Sequence, residues 1–279
     1  MAIQDKDGFW RGKKGDSIYR RLNNQNVISQ ATKKRRQTVS SQAAACGFGF
    51  ASNTARAIRL ALGPFYIGLD GGLVNRLNVA VLQALAHSPA AEPEKRDLHD
   101  ADLSSLSGLQ FNAHAPLNKI MKLRPQITVQ DDDTLRVTLP ALSGEKDLSY
   151  PRSAFHIACC LRVTQYAFDF RREFYINMGF REAEIKPLEF QGIDWHFDEC
   201  LPPGSIGLAC MSLHYYIQGA RGETKELGIR EFSPAELIAA YHVAGQQGQH
   251  EGEWQDHYLQ LNGYRGNETI RNNDASWPW

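Results

Sequence analysis

Ile206-Gly207-Leu208-Ala209-Cys210-Met211-Ser212-Leu213-His214-Tyr215-Tyr216-Ile217-Gln218 is an apolar, aromatic-rich run. It is followed at once by Gly219-Ala220-Arg221-Gly222. That reads as a strand entering a turn. From Gly108 onward the chain keeps a period of two. Residues 127–130, 134–139, 154–170, 184–190 and 193–197 read as strands too. Asp131-Asp132-Asp133 supplies a hairpin turn between the first two. Pro187 places its strand at an edge or a bulge, because it cannot donate to a ladder. Residues 236–244 read as a short helix or a last strand. Several short strands with turn signals between them predict an antiparallel β-sandwich-like domain over 108–244.

Upstream the period lengthens. Leu73, Leu77, Val81 and Leu85 recur every four residues, which predicts a helix over 73–86. Residues 38–62 predict another, with Thr38 or Ser40 as cap and Gly63-Pro64 as stop. Gly47 and Gly49 interrupt its pattern. Each glycine costs a helix about 1 kcal/mol relative to alanine, so they either break it or admit a close neighbour. A helical hairpin over 38–87 follows, then a polar linker or surface loop over 88–107 containing Pro89 and Pro93. The fold class is α+β.

The first 37 residues form a basic hairpin arm. Residues 17–22 and 27–31 are its strands, and Asn23-Asn24-Gln25-Asn26 its turn. A lone hairpin is marginal in water, so the arm leans on something else. It carries Phe9, Trp10, Ile18, Tyr19, Val27 and Ile28, which disordered tails lack. The last 35 residues, 245–279, are polar and yet hold aromatic residues, among them Trp277 and Trp279.

The 279 residues carry no net charge, but the charge is uneven. Residues 9–36 hold nine Lys or Arg against one acid, Asp16. Acids gather later, around 92–102, 131–133 and 194–199. Residues 1–12 are charged and lack an apolar run, which reads as no signal peptide and synthesis in the cytoplasm. No run approaches the length of a membrane span. Five cysteines without a CxxC pair read as reduced, mostly buried thiols.

Three kinds of chemistry compete. Asp194, His196 and Asp198 alternate with apolar residues, so one strand face presents a possible divalent-metal set or a solvated polar face. His250, Glu251 and His257 are further ligand types in the tail. Cys46-Gly47-Phe48-Gly49-Phe50 lacks the Lys-Ser/Thr of a phosphate loop and a strand before it. Cys159 and Cys160 sit in an apolar run, and no G-x-S-x-G occurs, so nucleophilic catalysis has no motif. No cofactor is expected. Arg11, Lys13, Lys14, Lys33, Lys34, Arg35 and Arg36 beside Trp10 and Tyr19 suit phosphates and stacked bases. Phe9, Trp10, Ile18, Tyr19, Arg20, Arg21, Val27 and Ile28, with Trp277 and Trp279, suit a subunit interface equally well.

This layout resembles an uncharacterised family of Bacteroidota proteins with a Gly-rich basic hairpin arm, a Thr-x-x-x-Gln helix and a C-terminal β-domain. Gly12, Gly15, Ile18, Tyr19, Val27 and Ile28 carry the likeness in the arm. Thr38, Gln42, Phe48 or Phe50, and Asn75-Arg76-Leu77-Asn78 carry it in the helices. Phe111-Asn112, Pro116-Leu117, Phe155-His156 and Ala167-Phe168 are similar to the family's β-domain opening. The chain departs from the family at 46–49 and lacks a proline before the first helix. The resemblance implies no catalytic residue. The expectation is a non-enzymatic structural subunit that assembles with itself into a filament, tube or phage-like shell. The alternatives are a nucleic-acid-binding protein and a metal-dependent enzyme or binding module.

Overall fold

The computed structural model describes residues 2–22, 24–31, 38–63, 69–91, 96–142, 146–152, 157–171, 174–186, 190–218 and 223–245. The chain divides into two compact units, Met1–Gln42 and Ala43–Trp279. The strand over 154–156 and the stretch 187–189 expected from sequence lie outside the described residues.

The first unit is a four-stranded antiparallel meander, not a two-stranded hairpin. Its strands are β1 (Ile3–Gln4), β2 (Trp10–Lys14), β3 (Ser17–Leu22) and β4 (Gln25–Gln30), in that order. Sequence periodicity misses β2 because Trp-Arg-Gly-Lys-Lys is exposed along its whole length and so shows no alternation. Gly15 turns β2 into β3 with φ +59°, a backbone that a residue with a side chain rarely adopts. The next turn is tighter than expected. Leu22 pairs with Gln25, and Asn24 takes φ +59°, so Gln25 and Asn26 belong to the strand.

Helix α1 (Val39–Ala61) starts where expected, with Ser41 N–H donating to Thr38 Oγ1 at 3.2 Å. It runs unbroken through both glycines. A Cβ at Gly49 would meet nothing, so that glycine serves no close packing. Helix α2 is Leu73–Ala86. Before it, Asp70 accepts from the N–H groups of Gly72 (2.8 Å) and Ala113 (2.9 Å) and from Arg76 (2.8 Å). Burial opposes its charge, yet these bonds bring its pKa down to about 2.

The β-rich part is antiparallel throughout. The larger sheet contains β5 (Leu109–Gln110), β8 (Ile157–Asp169), β9 (Phe174–Ile185), β11 (Ile206–Gln218), β12 (Thr224–Glu226) and β13 (Ala235–His242). Its order is β5-β13-β11-β8-β9, with β12 on β11. The smaller sheet is ordered β10-β7-β6, from β6 (Gln126–Val129), β7 (Leu135–Pro140) and β10 (Gly192–Phe197). A short helix, α3 (Leu117–Ile120), precedes β6. The ambiguous 236–244 stretch is the strand β13.

Two apolar clusters lie on opposite faces of the larger sheet. On one face Tyr166, Phe168, Ile206, Leu208, Cys210 and Leu237 pack with Phe50, Ile58, Leu77 and Val81 of the helices. On the other face Leu161, Val163, Ala209, Met211 and Leu213 pack with Leu135, Val137 and Leu139 of the smaller sheet. The helical hairpin is therefore one outer layer over the central sheet. A bulge opposite Ala209 and Cys210 gives β13 an extra residue. It sends Leu237 to the helix side and Ile238 and Ala239 to the other.

The expected linker is part of the core. Leu98, Ala101, Leu103 and Leu106 are all buried in the helix-side cluster. Only four apolar residues in a polar, proline-bearing stretch do the sealing, which is why composition reads it as a loop. Cys159 and Cys210 are buried, Cys46 and Cys160 half-buried, and Cys200 exposed. No helix among the described residues is long and apolar enough to cross a membrane.

Candidate assembly interface

Alternation along β3 puts Ser17, Tyr19 and Arg21 on one face and Ile18, Arg20 and Leu22 on the other. The pairings extend each face across the meander. Gly12, Tyr19 and Ile28 lie in one row. Lys13, Ile18 and Ser29 lie in a row of the opposite face, as do Arg20 and Val27. The rings expected at an interface are spent differently on the two faces. Trp10 lies against Tyr19, centroids 6.2 Å apart. Arg21 covers Phe9 at 3.9 Å and meets Asp7 at 3.4 Å. Arg11 approaches Asp5 at 3.6 Å. Lys13 and Arg20, by contrast, flank exposed Ile18 with no carboxylate paired to them among the described residues.

No described residue of this unit is buried. Ile3, Trp10, Ile18, Leu22 and Ile28 are exposed, Ile28 at 62%. Lys14 is exposed on β2. Lys33, Lys34, Arg35, Arg36, Trp277 and Trp279 lie outside the described residues, as do His250, Glu251 and His257.

The strand face read as a possible metal set or a solvated polar face carries an ion pair. Asp194 and His196 share a face of β10, but β7 places Arg136 opposite His196. Arg136 binds both oxygens of Asp194, at 2.8 and 2.6 Å, and holds its carboxyl below the usual range. His196 stands 3.5 Å from Asp194, and Asp198 is 3.8 Å from Arg181. Among the described residues no group of three His, Cys, Asp or Glu is placed to hold a metal.

Two polar constellations escaped sequence reasoning. Ser212 Oγ lies 2.8 Å from His214 Nε2, and His214 Nδ1 lies 2.6 Å from Glu226 Oε1. The order is that of a nucleophile, base and orienting acid. Ser212 is nevertheless only 2% exposed, and its strand is paired on both sides there, to Arg162 and Ala235. Neither substrate access nor a free backbone donor for an oxyanion accompanies it. The sequence signal was the i, i+2 spacing of Ser212 and His214, which is too common to single out.

The second constellation surrounds a cavity of about 280 Å³ lined by His99, Asp100, Arg171, Ser205 and His242 among others. Arg171 binds Asp97 at 2.8 Å and Asp100 at 2.7 Å. His99 Nε2 accepts from Phe170 N–H at 3.1 Å, so Nδ1–H faces the Gly204 carbonyl at 3.1 Å. Burial favours this neutral ring and lowers its pKa, although Asp97 and Asp169 pull the other way. His242 Nε2 donates to the Leu98 carbonyl at 3.0 Å. These bonds tie the 96–101 segment to the end of β8, the entry to β11 and the end of β13. The half-buried Cys160 thiol is pushed up to about 11, chiefly by burial, and is no ready nucleophile.

Comparison of the chain with protein-family models, curated proteins and solved structures finds no match.

Proposed function

We propose that this chain is a self-assembling structural subunit whose N-terminal meander clasps a neighbouring subunit. One observation carries the reading: the unit pairs four strands and buries none of its described residues, while its strands expose Ile3, Trp10, Ile18, Leu22 and Ile28. Strand pairing alone is marginal; a sheet needs a covered apolar face. A neighbour's surface supplies that cover. If donor and acceptor surfaces differ, contacts run head to tail and build a ring, tube or filament. The aromatic tail is a second candidate clasp in the same scheme.

Nucleic acid is the second reading, favoured by the unpaired Lys13 and Arg20. The packing of Trp10 on Tyr19 speaks against it, since these rings already have partners within the meander. Light scattering and negative-stain microscopy of the full chain and of a variant lacking residues 2–37 test the proposal. The full chain should be oligomeric or polymeric and the variant a smaller species. A full-length monomer, or a truncated chain that assembles unchanged, overturns it. Absorbance near 260 nm and salt-sensitive retention would move the reading to nucleic acid.

A further inference from the structure

The helix-side cluster uses only part of the central sheet. On β11 it ends at Cys210. Beyond that, the same face continues through Ser212, His214 and Tyr216, which pair with Arg162, Cys160 and Ala158 of β8. Glu182 and Glu184 lie across from Arg162 and Cys160 on β9, and Glu226 across from Tyr216 on β12. All three carboxylates are exposed; Arg162 is bound to Glu182 at 2.8 Å and His214 lies 2.6 Å from Glu226, which leaves Glu184 the most open of the three. Arg162 also spans the ring of Phe180 at 4.7 Å, and that ring is 55% exposed. Past the buried Ser212, the outer residues of this half-face, Phe180, Glu182, Glu184 and Glu226, form an exposed acidic surface centred on an aromatic ring.

We propose that this half-face receives the N-terminal meander of a second copy of the chain. The inference rests on the clasp reading and names its receptor. Charge complementarity selects the occupant. One face of the meander interleaves Arg11, Lys13 and Arg20 with Ile3, Ile18 and Leu22; the receiving face offers Glu182, Glu184 and Glu226 around Phe180. Two sheet faces can pack about 10 Å apart and interdigitate their side chains. Phe180 then sits among Ile18 and Leu22, and the cations meet carboxylates at the rim, where charges set orientation and encounter rate. Donor and acceptor are different surfaces, so the contact propagates.

Reversing charge on one side and then on both tests the match. E184K/E226K, and separately K13E/R20E, should each weaken assembly about tenfold in light scattering, as expected for two exposed ion pairs replaced by like-charge contacts. A mixture of the two variants should recover it. Cross-linking gives a readout independent of charge. A chain carrying Ile18→Cys, mixed under mild oxidation with one carrying Phe180→Cys, should yield a disulfide-linked dimer; the parent, with its exposed Cys200, sets the background. Loss of assembly on removing residues 2–37, with E184K/E226K assembling normally and no dimer above background, overturns this receptor and leaves the clasp intact. Assembly without residues 2–37 overturns both.

Discussion

β3 and β11 are both antiparallel strands paired on two sides, yet β3 has no buried residue and β11 has an unbroken buried run from Ile206 to Leu213. Pairing is common to both; burial separates them. β11 lies between the helix layer and the smaller sheet, so its polar alternation disappears over that run. β3 pairs within its own meander, and Ile18 and Leu22 are exposed. Backbone ladders shape a sheet, but the covered faces supply most of its stability.

Truncating one buried ring and one exposed side chain should split the two regions most widely. Phe168 stacks between Phe170 (5.2 Å) and Tyr175 (5.7 Å) with no exposed surface. Phe168→Ala should cost about 3–5 kcal/mol in urea unfolding. Ile28→Ala should change the dissociated protein by less than about 0.5 kcal/mol. An equal cost at Ile28 would mean that the meander is already covered within one chain.

Asp70 tests the polar side of the same comparison. Its side chain is 6% exposed, and its pKa falls from 3.8 to about 2. A depressed carboxylate stabilises the fold above its unfolded pKa. That contribution, on the order of 2 kcal/mol, fades as pH falls from near 4 towards 2. Asp70→Asn should remove most of it at neutral pH and flatten the acid limb of stability against pH. An unchanged acid limb would contradict the assignment. The exposed Arg21–Asp7 pair of the meander should show no such loss.

Two glycines should give effects of opposite sign. A Cβ at Gly207 would fall 2.5 Å from the Tyr241 ring, whereas one at Gly49 would meet nothing. Gly207→Ala should destabilise by about 1–3 kcal/mol through overpacking. Gly49→Ala should stabilise by about 0.5–1 kcal/mol, because the helix then loses less backbone entropy on forming. Thermal melts of the two variants should move in opposite directions.

Local pattern alone determined a good deal. The span of α2, the β11 run, the Thr38 cap and the β3–β4 hairpin of the basic arm are legible because each depends on residues near in sequence. The α+β class follows from where the period changes. Tertiary structure decided the rest. It carried α1 through Gly47 and Gly49 because one side of that helix, from Phe50 to Ala61, is buried on the sheet. It made β13 a strand by pairing it with β11, and drew Leu98 to Leu106 into the core. It gave Asp194 to Arg136, 58 residues away. Each is a contact between segments far apart in sequence, and no local propensity encodes such a partner. The candidate interface shows the same division. Its residue types stand in the sequence, but which of them share a face, and which face is left without cover, depends on the register of four strands.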